Sequence, residues 1–308
     1  MNDISALLKG LHNGDSRSIA RCITIVENDL PGSEEILAGL HLQEKVPVIG
    51  FTGPPGAGKS TLINALLSHI LQKEPGSKIA VLAIDPTSSF NFGSLLGDRL
   101  RMSEHFNNES IFIRSAATRG SLGGLSSRTL EISDILKAAG FQYVIVETVG
   151  VGQSEVEIAG LADTTIVVLV PEAGDEIQAL KSGIMEIADI FVVNKSDRDG
   201  SEGFAKNLMA LAHSNSPALW NIPVIKTSAS ISQGLDELLT QIQQHGNIAI
   251  NKRKPSLLFE KAMRLISISR MKVVDKKQLS ENILTASQLP GFNLYSFVKA
   301  FMLKNKLE

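Results

Sequence analysis

Nine consecutive residues carry the densest chemistry in the chain: Gly53-Pro54-Pro55-Gly56-Ala57-Gly58-Lys59-Ser60-Thr61. They fit the G-x-x-x-x-G-K-[ST] spacing of a phosphate loop. An apolar run, Val48–Phe51, precedes them and a helical pattern, Thr61–Leu71, follows. Glycines let backbone N–H groups converge on phosphate oxygens without Cβ clashes. The first turn of the following helix adds partial positive charge. In such a loop Lys59 reaches the β- and γ-phosphates and the Ser60 hydroxyl reaches Mg²⁺. The pattern predicts a nucleotide site.

The base is predicted by a second group. Asn194-Lys195-Ser196-Asp197 directly follows the apolar run Ile190–Val193, in the N-K-x-D arrangement of GTPases. A carboxylate at Asp197 can accept from guanine N1–H and the 2-amino group. Adenine offers no such donors, so the carboxylate would be left unpaired. Lys195 can lay its stem along the base while Asn194 ties loops together. Thr227-Ser228-Ala229 ends another short run, Val224–Ile225, where a backbone N–H can meet guanine O6.

Acidic residues at strand ends suggest the metal and the switches. Asp85 closes Val81-Leu-Ala-Ile-Asp85, and Glu147 closes Tyr143-Val-Ile-Val-Glu147, with Gly150 three residues on. Ligands gather at the carboxyl ends of strands in open α/β sheets. Gly150 leaves its N–H free to approach a γ-phosphate. Two polar, Gly-rich stretches, Gly93–Arg99 and Arg119–Gly124, suit switch loops. Asp98 reads equally well as a metal ligand or a helix N-cap. Arg119 and Arg128 read better as surface charges than as phosphate sensors. Val151 follows Gly150 where a water-orienting Gln would help hydrolysis, so slow intrinsic turnover is expected.

Something must hold these groups in place. Short apolar runs alternate with amphipathic segments such as Thr61–Leu71, Arg128–Ala139 and Gly234–Ile242. This pattern implies an α/β fold, a mostly parallel P-loop sheet with helices on both faces. N-terminal helices and a C-terminal helical extension complete it. The expected organisation is a helical extension over 1–44, a P-loop GTPase domain over 45–250, and a helical tail over 251–308. The 308 residues carry 30 Lys/Arg and 32 Asp/Glu, a net charge of −2. Residues 252–308 hold twelve Lys/Arg against four Asp/Glu, so the tail is +8 and the remainder −10. A solvated basic face is favoured there over nucleic-acid binding, because aromatic residues are sparse. One cysteine, Cys22, excludes an internal disulfide and any Cys-based zinc site. No apolar run reaches the ~18 residues of a membrane span. No secretory or transit signal opens the chain, so a cytoplasmic protein without membrane or nucleic-acid partners is expected.

Five segments together resemble the MeaB/ArgK family of P-loop GTPases. They are GPPGAGKST (53–61), DPTSSFNFGSLLGDR (85–99), SLGGLSSRT (121–129), ETVGVGQSE (147–155) and DEIQALKSGIMEIADIFVVNKSD (175–197). The likeness spans about residues 1–250. It implies a GTP-hydrolysing chaperone, cycling between GTP and GDP with Mg²⁺. Such a chaperone gates cofactor delivery to, and protects, an adenosylcobalamin-dependent methylmalonyl-CoA mutase. It also implies a homodimer. By the same resemblance Asp85, Asp98 and Glu147 form an acidic set around metal and water. Lys181 lies in a segment that relays nucleotide state; by itself it reads as a surface lysine. DPTSSFNF departs mildly from the family's DPSS-type motif. Two rival readings are a kinase of a lysine/arginine/ornithine transport system and a metallochaperone GTPase. The first lacks a visible acceptor site. The second lacks Cys or His clusters.

Overall fold

The computed structural model describes residues 3–43, 46–85, 102–105, 107–117, 128–148, 154–174, 184–215, 220–248, 254–271, 273–289 and 291–305. The chain divides into two compact units, Met1–Asn251 and Lys252–Glu308.

The first unit is built on a seven-stranded, all-parallel sheet. Its strands are β1 (Val48–Thr52), β2 (Ile79–Asp85), β3 (Ile111–Ala117), β4 (Tyr143–Glu147), β5 (Thr164–Leu169), β6 (Ile190–Val193) and β7 (Val224–Lys226), in the order β3-β2-β4-β1-β5-β6-β7. The chain leaves β1 to build one side of the sheet, then returns past it to build the other. β1 therefore lies at the switch of strand order, where an open α/β sheet forms its ligand crevice.

Every residue of β1, β4, β5 and β6 is buried, which explains their nearly unbroken apolar sequence. Alternate residues go to opposite faces. Ile49, Phe51, Val81, Ile145, Ile166 and Val168 meet α4 (Lys59–Lys73) and α9 (Leu235–Ile248). On the other face, Val48, Leu82, Val144 and Val146 share a core with α1 (Ile4–His12), α2 (Ser16–Glu27), α3 (Ser33–Ala38), α5 (Thr129–Ala138) and α6 (Ser154–Leu161). Cys22 is buried there as a free thiol, its pKa pushed up to about 11 by burial. Val167, Leu169, Phe191 and Val193 complete that face against α8 (Ser201–Asn215). The short helix α7 (Ile184–Ile187) precedes β6.

β3 escapes the sequence pattern. Arg114 and Ser115 interrupt its apolar run because among the described residues it is an edge strand, paired with β2. Arg114 donates to Glu27 Oε2 of α2 at 2.9 Å. A charge inside an edge strand also discourages pairing with another chain.

The second unit consists of α10 (Lys254–Met271), α11 (Lys276–Ser287) and α12 (Leu294–Lys304). Neither α11 nor α12 buries a residue. Leu258, Phe259, Ile266, Leu284, Leu289 and Tyr295 are all exposed.

Candidate functional site

The phosphate loop joins β1 to α4, at the centre of the sheet. Gly53 has φ 136°, and a Cβ there would lie 2.1 Å from the carbonyl oxygen of Val168 on β5. Only glycine lets the chain turn this close to its neighbour strand. Gly58, at φ 85°, caps α4 without any side-chain hydrogen bond. The first N–H groups of α4 are therefore left to a ligand, the arrangement that binds phosphate at helix N-termini. Lys59 is buried, and its Nζ donates to the carbonyl oxygens of Gly53 (2.7 Å) and Pro54 (3.1 Å). The loop's own backbone thus fixes the cation.

Ser60 Oγ donates to Glu147 Oε1 at 2.7 Å, and both residues are buried. This bond joins the start of α4 to the end of β4, 87 residues apart. Next to Glu147, the Thr148 N–H donates to the Phe51 carbonyl at 3.0 Å and its hydroxyl to Thr52 Oγ1 at 3.1 Å. The end of β4 is thereby locked to the end of β1. Asp85 ends β2, two residues beyond the Ala83 that pairs with Glu147. The side chain of Asp85 lies outside the described residues, as do Asp98, Gly150 and Lys181 in full.

The second cluster converges on the loop after β6. Asn194 Nδ2 donates to the Ala57 carbonyl at 2.9 Å. Its Oδ1 accepts from the Thr227 hydroxyl at 3.1 Å and the Ala229 N–H at 3.4 Å. Asn194 therefore ties the phosphate loop to the loop after β7. A Cβ on Gly58 would stand 2.5 Å from Asn194 Nδ2, so this glycine also makes room for the tie. Lys195 adopts φ 56°, rare for a side chain with a Cβ, and Lys195 Nζ donates to the Gly56 carbonyl at 2.8 Å. Its aliphatic stem bridges the two loops. Asp197 is exposed, and its Oδ1 accepts from Ser228 Oγ at 2.6 Å. That hydroxyl, then the loop's own backbone N–H, hold the Asp197 carboxyl below its usual range, with Arg198 and Lys195 adding to the effect.

The described sequence-predicted residues from 53–61, together with Glu147, Asn194, Lys195, Asp197, Ser228 and Ala229, are thus gathered along the carboxyl ends of β1, β4, β6 and β7. The sequence did not reveal the Ser228–Asp197 bond, the left-handed Lys195 or the Thr148–Thr52 link. Each depends on chain segments brought together only by the sheet. Beside the phosphate loop, Pro54, Pro55, Gly56, Val170, Glu172, Lys195 and Arg198 line a hollow of about 270 Å³. Glu172 and Arg198 pair across its mouth. Among the described residues, no helix is long and apolar enough to cross a membrane.

Known proteins resemble this chain in sequence and fold. The family model described as methylmalonyl-CoA mutase-associated GTPase MeaB matches residues 19–285. A Pyrococcus abyssi protein whose name assigns it to the GTPases is 45% identical over 247 residues, 79% of this chain and 76% of that one. GTPase ArgK of Escherichia coli is 37% identical over 246 residues, 75% of this chain and 72% of that one. A crystal structure titled LAO/AO transport system kinase superposes with a TM-score of 0.69 at 26% identity, covering 100% of this chain and 94% of the other. With a family match over most of its length, the chain belongs to the methylmalonyl-CoA mutase-associated GTPases, the MeaB family, and is a GTPase.

Proposed function

We propose that this GTPase is the chaperone of an adenosylcobalamin-dependent methylmalonyl-CoA mutase, gating cofactor delivery and protecting the enzyme. The observation that carries the reading is the match over residues 19–285 to a family named for that association. The site supplies a timing device suited to the task. The phosphate-loop backbone and the α4 N-terminus hold the phosphates. Lys59 neutralises charge that grows on the transferred phosphoryl group. Asp197, held by Ser228, reads the guanine edge, while Lys195 and the Asn194 tie fix the base loop against the phosphate loop.

The site's donor chemistry fits Mg²⁺. Ser60 Oγ and Glu147 Oε1 are hard oxygen donors brought within 2.7 Å, and the Asp85 strand end lies on the adjoining strand. Ser60, Glu147, Asp85 and Asp98 would hold the ion, which when bound neutralises the β- and γ-phosphate oxygens. Lys181 would relay nucleotide state to the mutase. A homodimer accounts for the unburied apolar residues of Lys252–Glu308.

The test is single-turnover GTP hydrolysis with and without purified methylmalonyl-CoA mutase. A rise of roughly tenfold, the size of a modest coupling energy, is expected. Equal rates, with no complex on a sizing column in GDP or a GTP analogue, would end the mutase reading and leave the GTPase intact. Deleting residues 255–308 should turn a dimer into a monomer in light scattering.

A further inference from the structure

The loop after β7 carries Ser228 and Ala229 and closes on itself. It leaves the sheet at Lys226 and returns at Gly234, just before α9. Two backbone bonds pair its ends. The Ser228 N–H donates to the Gln233 carbonyl at 3.2 Å, and the Gln233 N–H donates to the Ser228 carbonyl at 3.1 Å. Between them the chain makes one tight turn, Ala229–Ile231, whose Ile231 N–H donates to the same Ser228 carbonyl at 3.2 Å. Ser232 completes the turn in the left-handed region, at φ 55°. Residues 230–233 are exposed, so the turn is shaped by its backbone and not by core packing.

Gly234 makes the closure possible. Its φ is 78°, and a Cβ there would stand 2.1 Å from the Lys226 carbonyl oxygen and 3.2 Å from Thr227 Cα. Atoms in ordinary contact stand ~3.5 Å apart or more, so a methyl group at 234 must displace backbone by about 1 Å. Both neighbours are anchored. Lys226 pairs with Val193 of β6, and the Thr227 N–H donates to the Val193 carbonyl at 2.9 Å. On the other side, Leu235, Leu238, Leu239 and Ile242 bury α9 in the core. The displacement therefore falls on the exposed loop between them.

That loop serves the base and not the phosphates. Ser228 Oγ donates to Asp197 Oδ1 at 2.6 Å. The Ala229 N–H, 3.4 Å from Asn194 Oδ1, is the donor read above as the partner of guanine O6. We infer that Gly234 is a specificity-determining residue for guanine: the missing side chain lets the loop after β7 close on its own strand, and the closed loop aims the Ala229 N–H and the Ser228 hydroxyl. The inference deepens the proposed site. It rests on the reading of Asp197 and Ala229 as base partners and is indifferent to the mutase.

The experiment compares full-length wild type with Gly234→Ala and Gly140→Ala by calorimetry. The probes are GDP and 6-thio-GDP, in which sulfur, a weaker acceptor, replaces O6. Wild type should bind 6-thio-GDP roughly fivefold more weakly than GDP, the worth of one hydrogen bond. Gly234→Ala should lose roughly ten- to thirtyfold in GDP affinity, as two such bonds are misaligned, and its sulfur penalty should shrink to within about twofold of none. A purely structural role would weaken both nucleotides alike and keep the penalty. Gly140 has φ 80° with nothing within 4 Å of a Cβ, so Gly140→Ala imposes the backbone strain without the clash. It should bind both nucleotides within about twofold of wild type. Ser232→Val puts a β-branched residue in the left-handed region and opens the same turn from its exposed end. It should show the same pattern at several-fold, and it decides the matter if Gly234→Ala yields no folded protein. A full sulfur penalty in both Gly234→Ala and Ser232→Val would overturn the inference and leave the base reading standing. A wild type indifferent to sulfur would overturn both. Guanine affinity lost equally in Gly140→Ala and Gly234→Ala would also overturn the inference.

Discussion

At the carboxyl ends of the strands, Lys59, Ser60, Glu147, Asn194 and Ser228 are all buried, and so are Tyr143, Thr164 and His245 at the amino ends. The amino-end bonds stitch helices and strands to one another. His245 of α9 meets Thr164 Oγ1 of β5 through Nδ1 at 2.8 Å, and Trp220 donates to the Asp189 carbonyl at 2.7 Å while packing edge-on against His245. Tyr143 of β4 donates to the Glu74 carboxylate at 3.1 Å and accepts from Gln243 of α9 at 3.2 Å. The carboxyl-end bonds instead run largely to loop backbone. They immobilise Lys59, Asn194 and Lys195 and leave a helix N-terminus without a side-chain cap. Burial of polar groups therefore does not by itself mark a site. The mark is a set of buried groups organised around donors that the protein does not itself satisfy.

The contrast breaks most visibly at Lys59. Removing the amine by Lys59→Ala should lower GTP turnover by roughly a hundredfold or more, the scale of one lost electrostatic stabiliser. The thermal midpoint should stay near wild type, because the amine donates to carbonyls of its own loop, those of Gly53 and Pro54. Unchanged turnover would show that the carboxyl-end cluster is as structural as the amino-end one.

Asp197→Asn should follow in size. Guanine nucleotides should lose about 2–3 kcal/mol of affinity, the cost of a mispaired polar group, and xanthine nucleotides should gain. Titrating GDP and XDP against both proteins by calorimetry gives the answer. A variant that keeps its preference for GDP would move base recognition elsewhere.

Much of this edge was legible in the sequence because its chemistry is local. Residues 53–61 carry their phosphate-binding geometry in nine positions, and Asn194–Asp197 follows its strand without a gap. A mostly parallel sheet was legible too, since β1, β4, β5 and β6 are buried on both faces and read as apolar runs. The strand order was not, because nothing in β1 or β4 specifies which strand each will pair with. β3 was hidden by Arg114, whose partner Glu27 lies 87 residues earlier. The amino-end cluster was invisible for the same reason: Thr164 and His245 are 81 residues apart. Nothing local marks Gly50 either, since Ile158, which a Cβ there would meet at 2.6 Å, lies far along the chain.

Ser228→Ala sharpens the contrast at smaller scale. It removes one hydroxyl that holds Asp197 at 2.6 Å, so GDP affinity should fall by roughly 1 kcal/mol, the net worth of a hydrogen bond. The carboxyl should rise towards its ordinary range, so GDP binding should weaken at a higher pH on acidification than in wild type. Identical acid profiles for the two proteins would mean that Ser228 does not hold Asp197 in solution.

The smallest effect belongs to the amino-end seam, and it appears in stability rather than turnover. Burial holds His245 below its usual pKa of 6.5; Asp189, whose Oδ1 stands 3.5 Å from Nε2, and Asp163 pull the other way without overcoming it. Lys137 faces that Asp163 at 4.0 Å and blunts its pull. A base with a depressed folded-state pKa resists protonation only while folded. Above pH 6.5 both states are neutral and the group adds no pH dependence. As pH falls through 6.5 the unfolded chain takes up a proton that the folded chain refuses, so stability is lost on acidification. His245→Gln keeps a polar side chain beside Thr164 but cannot titrate, so its denaturation midpoint should fall less steeply between pH 7 and pH 5 than that of wild type. GTP turnover at neutral pH should stay within about twofold, since the seam lies at the amino ends of the strands and the nucleotide site at their carboxyl ends. Denaturant melts of the two proteins across that interval decide the matter. Parallel slopes would mean that His245 titrates alike in both states, and a large loss of turnover would mean that the two edges of the sheet are not independent.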